Sequence, residues 1–181
     1  LFGAARPRVQ QLQPFGARTG AFGLVLSPQA ATTDSWLGGS GNWSNAAQWS
    51  GGEPTQNSAV SISAANSSVA LDVSNGQAYT LALSKGNLLS FNFGAALTTF
   101  GSGTTVSNAG TIAINNNSAL TLGTGTTALS NAGTITLNSG PYNLSQLIID
   151  APKITLGGGG TVVMNNSPNN QIVGAATSNT L

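Results

Sequence analysis

A ten-residue phrase occurs twice in this chain. Val106-Ser107-Asn108-Ala109-Gly110-Thr111-Ile112-Ala113-Ile114-Asn115 returns 23 residues later as Leu129-Ser130-Asn131-Ala132-Gly133-Thr134-Ile135-Thr136-Leu137-Asn138. A period of that size is one coil of a stacked repeat. A single coil cannot bury its own apolar face and needs neighbours above and below. Strict alternation at Ile112/Ile114, Leu120/Leu122 and Ile135/Leu137 puts one set of side chains on one face of a strand. Glycine- and asparagine-rich corners separate these runs, and no amphipathic helical run exceeds two turns. The pattern predicts an all-β chain, a right-handed parallel β-helix of roughly five or six coils, about 25 Å long. Ile112 should stack on Ile135 inside. Asn108 should stack on Asn131 at a corner, with the amides hydrogen-bonded along the stack. Gly110 and Gly133 would supply a corner with positive φ. An antiparallel sandwich is the alternative, and the 23-residue self-similarity counts against it.

Composition narrows the function classes. Charged residues make up 5% of the chain, against roughly 25% in an average globular domain. The three arginines, Arg6, Arg8 and Arg18, all lie near the start. From Thr32 onward Lys85 and Lys153 face Asp34, Glu53, Asp72 and Asp150, two cations against four acids. Phosphate binding needs clustered Lys and Arg, so nucleic acid is rejected as a partner. There is no cysteine, which excludes disulfides and thiolate metal sites. No apolar run approaches the roughly 18 residues of a membrane-spanning helix.

The chain divides into three parts. Residues 1–31 have the order of a secretory signal peptide: basic residues, the apolar stretch Ala21 to Leu26, then Ser27, Ala30 and Ala31. A disordered leader is the alternative. Residues 32–55 form a tryptophan-rich segment that holds Trp36, Trp43 and Trp49. These rings are candidate platforms for stacking on sugars, or else a cap that covers the apolar end of the first coil. Residues 56–181 are the repeating β body.

The stretches Trp36-Leu37-Gly38-Gly39-Ser40-Gly41-Asn42-Trp43-Ser44 and Trp49-Ser50-Gly51-Gly52-Glu53-Pro54 resemble the opening of bacterial autotransporter-type β-strand-repeat proteins. The Asn-Ala-Gly-Thr-Ile repeats, Leu156 to Val162 and Asn170 to Gly174 resemble the coils of those passengers. The resemblance covers about residues 32–181. It implies a secreted or surface-displayed parallel β-helix, held at the outer membrane through a C-terminal region, of which this chain would be an N-terminal piece. No translocating barrel is present in this sequence.

Chemistry is sparse. Without His or Cys, Ser-His-Asp and Cys-His arrangements are impossible. The four acids are at least 19 residues apart, and Asp72 and Asp150 should fall on different faces. Asp150 with Lys153 reads as a solvated corner. Gly123-Thr124-Gly125-Thr126-Thr127-Ala128 matches a dinucleotide fingerprint but no helix follows it. Gly157 to Gly160 lacks the Asp of calcium-binding nonapeptides. Thr134-Ile135-Thr136 resembles an ice-binding pair, but the preceding coil has Thr111-Ile112-Ala113. The reading is therefore non-catalytic, with no catalytic residue, metal or cofactor: an extracellular structural or adhesive passenger segment. Its expected partners are surface glycans or host and neighbouring cells, or further copies through open solenoid ends. The alternatives are a self-assembling solenoid subunit and a carbohydrate-active enzyme on the same scaffold.

Overall fold

A computed structural model describes residues 30–175. The signal-peptide reading of residues 1–31 falls almost wholly outside the described residues. The described chain is almost entirely short β-strands, with one 3-10 turn at Ala46–Gln48. The first sheet contains β1 (Thr32–Ser35), β3 (Ser58–Ile62), β6 (Thr80–Leu83), β9 (Thr104–Asn108), β12 (Thr126–Asn131) and β15 (Thr155–Gly157). The second contains β2 (Ser40–Asn42), β4 (Ser68–Leu71), β7 (Leu88–Phe91), β10 (Thr111–Asn115), β13 (Thr134–Asn138) and β16 (Thr161–Met164). The third contains β5 (Gly76–Ala78), β8 (Ala96–Thr99), β11 (Ser118–Leu122), β14 (Ser145–Ile149) and β17 (Asn170–Gly174).

Every strand pair in these sheets is parallel, and each strand pairs with the equivalent strand of the next coil. The result is a three-sided β-solenoid of about six coils. The expected parallel β-helix is the observed architecture. The tryptophan-rich segment supplies the first coil, because β1 pairs with β3 and β2 with β4.

The repeated phrase explains the register. Thr111 to Asn115 pair one for one with Thr134 to Asn138. The inward column of the second sheet runs Val69, Leu89, Ile112, Ile135, Val162. That of the third runs Leu97, Leu120, Leu147, Ile172. Residues alternate between buried and partly exposed along β3, β10, β11 and β14, as a strand with one dry face requires. The period is not constant. It is 20 residues from Val69 to Leu89, 23 from Leu89 to Ile112 and from Ile112 to Ile135, and 27 from Ile135 to Val162. The corners absorb the difference, and the strands keep register because a slip of one residue would turn every apolar side chain outward.

The glycines of the phrase act differently from the expectation. Gly110 and Gly133 are not among the positive-φ residues. They are required by close approach. A methyl group on Gly110 would run into the carbonyl oxygen of Asn87, one on Gly133 into that of Gly110, and one on Gly160 into that of Gly133. Backbone stacks on backbone at this corner, and only a residue without Cβ fits. Beside it stands the expected amide ladder. Asn108 Nδ2 donates to Asn131 Oδ1 at 2.7 Å and to Thr134 O at 3.1 Å, while its Oδ1 accepts from Gly110 N–H at 3.1 Å. Asn131 Nδ2 passes the pattern on to Thr161 O at 3.1 Å.

Candidate functional site

The sequence singles out Trp36, Trp43 and Trp49, and the structure brings them together. Trp49 meets Trp36 edge to face at 5.0 Å between ring centroids and Trp43 at 4.9 Å, the geometry aromatic quadrupoles prefer. Trp36 forms an antiparallel bridge with Trp49. Trp36 Nε1 donates to Gly39 O at 3.2 Å and Trp49 Nε1 to Trp43 O at 2.8 Å. Trp43 Nε1 is buried with no acceptor. The three rings are 2%, 0% and 3% exposed and belong to the same apolar cluster as the lumen. Rings so enclosed present no face to a sugar. They cover the first described coil, since the segment carrying Trp49 folds back along the edge of β1 that pairs with no other strand among the described residues. Leu37 N–H donates to Gln48 O and Ser50 N–H to Ser35 O, both at 2.9 Å.

Asp34 anchors that fold-back. Its side chain is buried, and its Oδ1 accepts from Gly51 N–H at 2.9 Å and from the Ser50 hydroxyl at 3.4 Å. Asp34 and Glu53 line one hollow of about 210 Å³ with Thr32, Thr55 and Asn57. Sequence spacing separates these two acids, whereas the fold-back brings both to the wall of one hollow. Asp72 and Asp150 stand at different corners, following β4 and β14, as their spacing predicts. Asp72 is held by Ser44, whose N–H donates to Oδ1 at 3.0 Å and whose hydroxyl donates to Oδ2 at 2.6 Å. Among the described residues no group of three or more His, Cys, Asp or Glu side chains lies together.

The outer surface offers two further features. A shallow hollow of about 620 Å³ follows the glycine corner from Lys85 through Gly110 and Thr111 to Gly133 and Thr134. Large apolar side chains also stand in solvent away from the cap. Tyr142 is 95% exposed and Phe93 71% exposed, both on turns between the second and third sheets. Sequence reasoning passed over this pair. The residues are 49 positions apart, and coils of unequal length hide their common corner.

The solenoid scaffold is compatible with a structural or adhesive role. No curated protein and no solved structure matches this chain. Residues 35–147, more than half of its 181 residues, match the family described as "Domain of unknown function (DUF8693)". The match begins next to Trp36 and runs through the central coils to β14. The chain therefore belongs to the DUF8693 family.

Proposed function

We propose that this chain is a non-catalytic segment of a secreted or surface-displayed bacterial protein, in the manner of the autotransporter-type passengers that its tryptophan segment resembles. It acts as a stiff spacer with an adhesive outer surface. The observation that carries this reading is the division between lumen and exterior. The lumen is one continuous cluster of aliphatic and aromatic side chains from Trp36 to Ile154. The exterior is dominated by Ser, Thr, Asn and Gly and carries few charges. A surface built in this way makes many weak polar contacts and resists salt. It is also stiff, because every coil is tied to the next by parallel ladders.

The test is protease treatment of intact source cells, followed by detection with an antibody to this chain. Loss of the antigen without lysis is the expected result. Full protection until the cells are broken would overturn surface display. Adhesion is measured separately, with beads coated in the purified chain and a buffer range from low to high salt. Attachment that survives high salt is expected.

Self-association is a second reading, supported by one observation made among the described residues. In β15 and β16 Leu156, Val162 and Met164 are 46%, 41% and 44% exposed, whereas their ladder partners Leu129, Ile135 and Leu137 are buried. Another coil stacked there would complete the columns. Sedimentation velocity across a hundredfold concentration range distinguishes the readings. Growth in size supports assembly, and a constant monomer leaves the spacer.

A further inference from the structure

We infer that the corner between the second and third sheets is a binding site for an extended, neutral β-1,4-linked polysaccharide lying along the solenoid axis, with Phe93 and Tyr142 as its two stacking platforms. The inference rests on the adhesive reading and gives it a location and a ligand class. A single exposed aromatic needs no explanation. Here two stand on one corner, Phe93 after β7 and Tyr142 after β13, with the β10 coil between them. Two inter-strand steps of roughly 4.8 Å separate β7 and β13, the strands that lead into the two platforms, by about 10 Å along the axis. In an extended β-1,4-linked chain every second ring presents the same face, and this span matches that two-residue repeat. Sugar rings stack on exposed aromatic faces through the same dispersion and quadrupole attraction that pairs aromatic side chains.

The backbone under both platforms is held in place although the rings themselves are wet. Phe93 sits in a turn closed by Ala95 N–H to Asn92 O at 3.0 Å, with Gly94 at φ 76°. That φ is a conformation Gly adopts without strain. Gly94 N–H donates to Asn116 O at 3.3 Å in the next coil, and the Ser118 hydroxyl donates to Asn92 O at 2.8 Å. The loop that carries Tyr142 is gripped from both sides. From the coil below, Asn116 Oδ1 accepts from Gly140 N–H and Asn117 Oδ1 accepts from Leu144 N–H at 3.2 Å. From the coil above, Asn169 Nδ2 donates to Gly140 O at 3.2 Å and to Pro141 O at 2.9 Å. A pre-ordered loop loses little entropy on binding.

The residues between the platforms suit a sugar better than a protein. Asn116 and Asn117 spend their carbonyl oxygens on the Tyr142 loop, and their NH₂ groups make no hydrogen bond within the described residues. Those NH₂ groups are donors for sugar hydroxyls placed midway between the rings. The charged group on this corner is Asp72, and Ser44 occupies both its oxygens. Among the described residues a charged glycan finds no cation here, and a neutral one needs none. A protein partner would require a continuous patch, with roughly 1,000 Å² buried in total. Leu144, 41% exposed, adds to the Tyr142 side, but the amides of Asn116 and Asn117 still separate it and Tyr142 from Phe93, and the patch is not continuous.

The test is depletion of the purified chain from solution by insoluble cellulose and chitin, with insoluble starch as the α-linked control. Binding to cellulose or chitin is expected, unchanged by high salt and absent on starch. Phe93→Ala and Tyr142→Ala should each weaken it roughly fivefold or more, as loss of an anchor does. Tyr142→Phe should retain it. Phe100→Ala, which removes an aromatic 42% exposed between β8 and β9, should leave it intact. Unchanged thermal melting of the double variant shows that the fold is preserved. Binding to neither β-linked polymer, preference for starch, or equal binding by the double variant would overturn the inference. So would loss of self-association in the double variant, which makes the corner a protein interface. If coated beads still adhere when the double variant replaces the parent, adhesion stands and this corner is not its source.

Discussion

At the scale of single residues, the solenoid is held by positions that have no freedom to change. Asn108 is buried and serves three partners at once: Asn131, Thr134 O and Gly110 N–H. Asn108→Ala strands the Asn131 and Gly110 groups, whose bonds to it are buried, and each unmet buried group costs about 1–3 kcal/mol. Urea unfolding of this variant should show a midpoint well below the parent's. Asn115 makes comparable bonds, to Ser90 Oγ and Phe91 O, but in a half-open place. Water replaces them, so Asn115→Ala should cost about 1 kcal/mol or less. Equal losses for the two would mean that burial does not set the cost. Gly133→Ala tests the other half of the corner. The added methyl meets Gly110 O and the Ala109 carbonyl, and both are backbone that cannot swing aside. A destabilisation of about 1–3 kcal/mol by overpacking is expected. Ala132, exposed on the same corner, should accept Ser within about 0.5 kcal/mol.

At the scale of elements, strands and corners carry different tolerances. Coil length already varies from 20 to 27 residues while the ladders stay in register, so length is free at corners and fixed in strands. Two glycines inserted between Lys85 and Gly86, both exposed at a corner, should leave far-UV circular dichroism unchanged and shift the melting temperature by only a few degrees. One residue inserted after Ile135 reverses the faces of the rest of β13, and it should abolish cooperative melting. The same division explains what was legible in the sequence. The phrase at Val106 and Leu129 could be read because its two copies fill equivalent positions in adjacent coils of equal length. Gly76-Gln77-Ala78 carries no strand signal of its own. It is β5 because its backbone pairs with Leu97 to Thr99 of β8. The tryptophans stand out by composition, but composition does not say which way a ring faces, and the antiparallel fold-back that buries them is a tertiary event. Phe93 and Tyr142 carry no mark in the sequence, because corners of unequal length erase the period that would align them.

At the scale of the whole molecule, each coil touches only its neighbours, so stability is a sum of coil and interface terms rather than one global quantity. The central strands β7, β10 and β13 are paired on both sides, whereas β15, β16 and β17 are paired on one side among the described residues. β1 also has one parallel partner, but the Trp49 segment covers part of its outer edge. Native-state hydrogen exchange should therefore rank the amides. Those of β10 and β13 should exchange slowest, those of β3 and β4 next, and those of β15 to β17 fastest, since amides in strands paired on one side exchange more readily through local opening. The tryptophan plug is what makes the two ends unequal. Trp43→Ala removes a ring with no exposure from the centre of the cluster, and such truncations cost about 3–5 kcal/mol. In a globular core that loss would weaken every amide alike. In a solenoid it should fall on the first coils. Exchange in β1 to β4 should accelerate by orders of magnitude, with β10 to β14 close to the parent. Uniform acceleration across all coils would show instead that the described residues unfold as one cooperative unit, and that the plug stabilises the entire ladder rather than the end it covers.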